Sequence, residues 1–379
     1  MGIGRFAFTP ILPMMLEDDG LSVAGGGWLA SANYFGYLVG ALSMMVIRVR
    51  PAAAICLGLL LIGLATLAMG FAGSFAAWAV LRTLAGIASA WVLIAVSARS
   101  LELLAPLRRP VLNGVVFAGV GAGIMVAGLL CIALMYYGAD FAWAWIVSGL
   151  FALLASAITT PVLGCWGDAR AADSEPAPAD ARHWNREFTR LVLCYGATGF
   201  GYIIPATFLP VMAKQAIADP VLFGWSWPVF GAAALASTLG AAARPAALGN
   251  RSLWVACHFV MALGVALPVA VPGLAGVLLS ALLVGSTFVV ITMAGMQEAR
   301  LVAGMHAQHL MAAMTAAFAL AQVAGPLFAS ALLDANGSFS TALLFAGALL
   351  VASGAALMRR THDRAASSAP SSFTTDDIA

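Results

Sequence analysis

Apolar runs of roughly 20 residues, the length that crosses a bilayer's hydrocarbon core, follow one another along almost the whole chain. Twelve are recognisable, at about 1–16, 25–47, 52–71, 75–98, 111–137, 141–163, 188–213, 221–243, 252–271, 273–296, 308–333 and 338–358. They are continuous and rich in Ala, Leu and Gly, without the strict alternation of a barrel strand, so the pattern predicts helices throughout. The expected fold class is an all-α membrane protein.

Polar positions divide this series. The longest polar stretch, 164–187, reads GDARAADSEPAPADARHWNRE over most of its length. Its prolines, acids and arginines, with no apolar run, predict a linker between an N-terminal half at 1–163 and a C-terminal half at 188–358. Residues 359–379 have the composition of a disordered tail.

Composition agrees with the pattern. Of 379 residues, 62% are hydrophobic and 9% charged. A soluble domain carries about 25% charged residues and could not cover itself with so few. The net charge of +2 offers nothing to a nucleic acid. Five cysteines lie in or beside apolar runs with no CxxC pair, which reads as small buried apolar residues rather than a metal or disulfide framework. No cofactor or metal motif is present, and there is no GxxxxGK[ST] loop for a nucleotide.

The placement of basic residues is informative. With the linker on the cytoplasmic side, Arg48, Arg50, Arg99, Arg108, Arg109, Arg244, Arg251, Arg300 and Arg359 are among those that fall on that side. The other side has only Lys214, and its first loop carries Glu17, Asp18 and Asp19. The positive-inside rule therefore puts both termini in the cytoplasm of a plasma (bacterial inner) membrane.

The chain also repeats itself. GIGRFAFTPILPMM at Gly2–Met15 matches GFGYIIPATFLPVM at Gly199–Met212 at an offset of 197, pairing Gly2 with Gly199, Gly4 with Gly201, Leu12 with Leu209, Pro13 with Pro210 and Met15 with Met212. Gly27-Trp28 matches Gly224-Trp225 at the same offset. Two parallel six-helix repeats are the architecture of the major facilitator fold. By this register helix 1 should begin about ten residues earlier than Met1, which suggests that the first helix is truncated.

Particular blocks carry a resemblance. GIGRFAFTPILPMM, then GGGWLASANYFGYLVGAL at 25–42 and QVAGPLFASALLDANGSF at 322–339, resemble the YbfB/YjiJ-type branch of the major facilitator superfamily. LRTLAGIASA, with Arg82 and Gly86, is similar to the superfamily's helix-4 motif; FAGVGAGI is similar to its helix-5 motif without the usual proline. VIRVRPAA keeps the basic residues of the loop between helices 2 and 3 but lacks its Asp, so no salt-bridged cytoplasmic gate is carried over. The resemblance implies a secondary transporter, without ATP hydrolysis or catalysis, whose helices 1, 4, 7 and 10 line a central cavity.

Candidate binding residues follow from charge and polarity in the spans. Arg5 and Arg82 lie inside apolar segments, where a charge costs at least ~2.5–3.5 kcal/mol unless it meets a cavity or partner. Repeat register places Arg5 opposite Tyr202, at a depth similar to that of Arg82. Two forked donors suit a carboxylate or another anion; the alternative is that each satisfies carbonyls at a helix kink. Asn33, Tyr34, Tyr37, Asn113 and Gln322 could complete the lining. No acid sits centrally, since Glu298 and Asp334 fall at helix ends. That favours an organic anion over a cationic drug. His258 and His309 are candidates should protons be the coupling ion. Gly36 with Gly40, and Gly119 with Gly123, read as close-packing GxxxG pairs. The expected protein is a monomeric carrier of a small-molecule anion; amphipath efflux and a non-transporting membrane sensor are the alternatives.

Overall fold

The computed structural model describes residues 2–46, 50–104, 110–162, 184–217, 219–243, 249–304 and 307–359. The expected linker and tail lie outside them except at 184–187 and 359. Every regular element among the described residues is a helix: α1 (Gly2–Phe6), α2 (Phe8–Asp18), α3 (Val23–Val46), α4 (Pro51–Met69), α5 (Phe75–Leu104), α6 (Pro110–Tyr136), α7 (Phe141–Val162), α8 (Arg186–Ala216), α9 (Pro220–Gly224), α10 (Ser226–Ala243), α11 (Asn250–Ala270), α12 (Leu274–Ala303), α13 (Ala307–Asn336) and α14 (Ser340–Met358). The pairs α1–α2 and α9–α10 each form one interrupted rod, so the elements make twelve rods at the twelve expected places.

Some rods outrun their apolar windows. α5 and α12 each have 30 residues, where the apolar pattern gives about 24. Thirty residues span about 45 Å, more than the ~30 Å hydrocarbon core. The apolar window marks where lipid begins and ends. The helix continues beyond it through SARSLELL and QEARLVA, because its hydrogen bonds do not depend on lipid.

Proline shapes the first rod. Pro10 has no N–H for the carbonyl of Phe6, and α1 ends at Phe6. Ala7 joins the two pieces, donating to Ile3 O at 2.7 Å while its own carbonyl accepts from Ile11 N at 3.2 Å.

Outward faces are apolar. Leu57, Leu60 and Leu64 lie along one face of α4 and are 47%, 49% and 46% exposed. Water would penalise such a stripe, whereas lipid is its natural solvent. Trp28 and Trp225, equivalent in the repeat, are both exposed near the start of their rods, as interfacial anchors are.

Glycine brings helices together where expected, with one exception. A Cβ at Gly36 would stand 2.1 Å from Thr83 O, and one at Gly40 would stand 2.5 Å from Ile87 O, so α3 and α5 cross in backbone contact. Between the halves, Gly121 and Gly231 hold α6 against α10 in the same way. Gly123 meets Gly2, but Gly119 faces open space and is no packing contact. Gly119 instead borders an apolar cleft of about 210 Å³ with Val92 and Val96 of α5. The cysteine reading also needs correction. Cys131, Cys194 and Cys257 are buried, but Cys56 is disulfide-bonded, which its spacing did not signal.

Candidate functional site

Helix 1 and helix 7 meet along the repeat's own symmetry. Thr9 Oγ1 donates to Ala206 O at 2.8 Å, and the two residues are 197 apart. Pro210 leaves that carbonyl without its helical donor, and Thr9 supplies one. Two turns further, Lys214 pairs with Glu17, again 197 apart, and donates to Pro13 O at 3.3 Å. Asp18 ties the same end of α2 to α7 by accepting from Phe141 N at 2.9 Å. This end of the bundle, opposite the linker face, is closed.

Arg5 points into the seam between the halves. It is 6% exposed, and its Nη2 donates to Gln322 Oε1 on α13 at 2.8 Å. Gln322 Nε2 donates in turn to the hydroxyl of Tyr202 on α8. The guanidinium lies 4.1 Å from the Tyr37 ring centroid, 5.5 Å from that of Tyr34 and 5.4 Å from that of Phe6. Tyr34 OH lies 3.5 Å from Thr207 Oγ1, another bridge between the halves. Arg5, Tyr34, Tyr37, Tyr202 and Gln322 thus come together as one cluster.

Arg82 stands elsewhere. Its guanidinium packs 4.5 Å from the Phe8 ring, and its Nη2 lies 3.5 Å from the carbonyl of Arg5. Phe8 in turn stacks with Trp145 of α7. Arg82 therefore contacts helix 1 from α5, at the Arg5 backbone and the Phe8 ring, and makes no hydrogen bond to Gln322 or Tyr202. Asn33 also serves this region, donating from Nδ2 to Arg82 O at 2.8 Å. The side chain of Asn113 lies outside those described.

Two aromatic residues escaped the sequence reading. Tyr202 is sandwiched between Phe288 of α12 and Phe318 of α13, with interplanar angles of 7° and 13° and centroids at 5.3 and 5.6 Å. Phe318 and Gln322 are four apart and share a helical face, a signal that was available. Phe288 had no such flag.

The electrostatics are one-sided. Among the described residues, the ion pairs are Arg190–Glu187, Lys214–Glu17, Arg251–Glu187 and Arg251–Glu298, all at helix ends. Neither Arg5 nor Arg82 is among them. Arg5 Nε, Arg82 Nε and Arg82 Nη1 have no hydrogen-bond partner. Buried charge of this kind costs several kcal/mol unless an opposite charge is brought to it.

The histidines raised as proton carriers differ. His309 is exposed. His258 is buried outside the cluster, with Nδ1 3.1 Å from Trp254 O and Nε2 3.1 Å from Thr198 Oγ1 and 3.2 Å from Ser353 Oγ. Both ring nitrogens have partners within the protein.

No curated protein matches this sequence. A family model described as "uncharacterised MFS-type transporter YbfB" matches residues 1–358, nearly the whole chain. With twelve helical rods, a 197-residue repeat whose equivalent residues touch, and a buried polar cluster in the seam, the chain belongs to that family and is a membrane transporter of the major facilitator type.

Proposed function

We propose that this chain moves a small organic anion across the membrane by alternating access, with Arg5 engaging the anionic group. One observation carries the reading: a guanidinium buried in the seam has only neutral neighbours, the amide of Gln322 and the tyrosine rings, and no ion pair among the described residues. An arriving anion supplies the missing charge, and a charge-assisted bond is roughly twice as strong as the neutral one it replaces. The cargo then helps to hold the two halves in a particular relation, as a carrier requires.

The same feature weighs against amphipathic cations. The Tyr37 face that would attract a cation already has the Arg5 guanidinium over it. Tyr34, Tyr37, Tyr202 and Gln322 shape the site around the anion, while Arg82 braces helix 1 and Asn33 holds the Arg82 carbonyl. Basic residues gathered at the linker face place that face in the cytoplasm in this reading.

Uptake of labelled organic anions into proteoliposomes tests it. Arg5→Ala is expected to lower uptake about thirtyfold or more, the cost of removing one partner of a buried charged contact. Arg5→Lys retains charge but not the fork, and is expected to fall between. Transport of neutral or cationic compounds at full rate by Arg5→Ala would sink the proposal.

A further inference from the structure

We infer that the anion is an aromatic monocarboxylate: one carboxylate for Arg5, and a planar ring for the aromatic walls beside it. This rests on the organic-anion reading above and narrows it.

The number of charges is read from the cations. Arg5 is the guanidinium whose side chain reaches the seam. Arg82 is already engaged with helix 1, at the Arg5 carbonyl and the Phe8 ring, and does not bond the Gln322–Tyr202 pair. Lys214 is engaged at the closed end with Glu17. A dicarboxylate or a phosphate dianion would bring a charge with no second cation to meet it. A zwitterion would bring an ammonium group with no carboxylate to meet it among the described residues of the cluster.

Gln322 shows how a carboxylate would sit. Its amide presents to Arg5 Nη2 an sp² oxygen of the geometry a carboxylate oxygen has. In the present state that amide occupies the donor, and its own N–H engages Tyr202. A carboxylate displaces Oε1 from Arg5 because the charged acceptor makes the stronger bond. Tyr202 OH accepts from Gln322 and keeps its own proton to donate to the second carboxylate oxygen. Arg5 and Tyr202, equivalents in the repeat, would grip the same group from opposite halves.

The ring is read from the walls. Phe6 meets Phe288 edge to face at 63° and 6.2 Å, while Phe288 and Phe318 lie nearly parallel to Tyr202. Tyr37 presents its face to Arg5. These rings now stack on one another, and a flat ring entering beside Arg5 takes up the same offset-stacked and edge contacts, worth about 0.5–1.5 kcal/mol beyond area burial. An aliphatic chain of equal size gains burial but not that increment.

Binding to the purified full-length chain in lipid nanodiscs, followed by intrinsic tryptophan fluorescence, separates the outcomes. The probes are benzoate, cyclohexanecarboxylate, acetate and benzyl alcohol. Benzoate is expected to bind roughly three- to tenfold more tightly than cyclohexanecarboxylate, the increment above expressed as a ratio. Acetate should bind more weakly still, and benzyl alcohol not at all. In Phe288→Leu and Phe318→Leu the benzoate preference should disappear while cyclohexanecarboxylate still binds, an outcome that general loss of structure does not give. Equal affinity for benzoate and cyclohexanecarboxylate in the unaltered chain would overturn the aromatic assignment and leave the anion reading standing. Binding of benzyl alcohol but of no carboxylate would overturn both.

Discussion

Glu17 and Lys214 are equivalent positions in the two halves, 197 residues apart, and their side chains are ion-paired. Residues related by a two-fold axis touch only where the axis passes between them. The pair therefore marks the axis at the closed end, as Thr9 and Ala206 mark it deeper in the bundle. One side carries an acid and the other a base, so the symmetric position works as a latch and not as a repulsion.

Breaking the latch should shift the carrier toward the state open on that face. Glu17 is 69% exposed on its side chain, and exposed pairs contribute about 0–1 kcal/mol. Lys214→Ala is accordingly expected to raise the open population by no more than about fivefold. The measurement is the rate of maleimide labelling at Val211→Cys, with the chain's own cysteines replaced by serine. Val211 is buried in the closed state. An unchanged labelling rate would show that the latch does not contribute to closure.

Gln322→Glu separates a binding role for Arg5 from a structural one. The substitution puts a carboxylate 2.8 Å from a guanidinium that now bonds an amide. Arg5 gains an ion pair inside the membrane, so the thermal midpoint should rise by a few degrees, as about 1 kcal/mol does in proteins of this order. The same carboxylate fills the anion position, and uptake of organic anions should fall about tenfold or more. A stabilised variant that transports normally would mean that cargo does not use Arg5.

Much of this site was legible in the residues, for physical reasons that can be named. A guanidinium in an apolar run stands out because lipid tolerates it so poorly, which exposed Arg5. The repeat placed Arg5 level with Tyr202, and the two are joined through Gln322. Proline and glycine were readable because each has one dominant backbone consequence. The contacts of Arg82 with Phe8 and the Arg5 carbonyl were not readable, because depth along a helix says nothing of the direction in which a side chain leaves it. Phe288 was invisible among 20 phenylalanines, since a ring in a core and a ring in a site obey the same pattern. The ends of α5 and α12 were underestimated because hydropathy reports lipid contact and not helix length.

His258, one of the two candidate proton carriers, sits among hydroxyls and carbonyls of the protein. Thr198 Oγ1 also lies 3.1 Å from Cys194 O, and Ser353 Oγ lies 3.4 Å from the same carbonyl. These bonds join α8, α11 and α14, and a packing role predicts that transport does not depend on them. His258→Ala leaves buried hydroxyls without the ring and should cost about 1–3 kcal/mol in unfolding experiments. The pH profile of transport in the folded fraction should match that of the unaltered chain. A displaced profile would restore His258 as a coupling residue.

Thr9→Val tests whether the paired prolines and the threonine form one device. Valine keeps the shape of threonine and removes only the hydroxyl. Ala206 O then loses both possible donors, since Pro210 already lacks the N–H that would reach it. An unsatisfied carbonyl in hydrocarbon cannot turn to water, so the loss should be about 1 kcal/mol, near the average to upper values for membrane hydrogen bonds. Restoring a donor from the other side, by Pro210→Ala, returns the helical N–H to Ala206. The double variant should recover most of the stability lost by Thr9→Val, which thermal unfolding in detergent can measure. If the two losses simply add, the hydroxyl and the proline act independently, and the seam at this depth is held by packing alone.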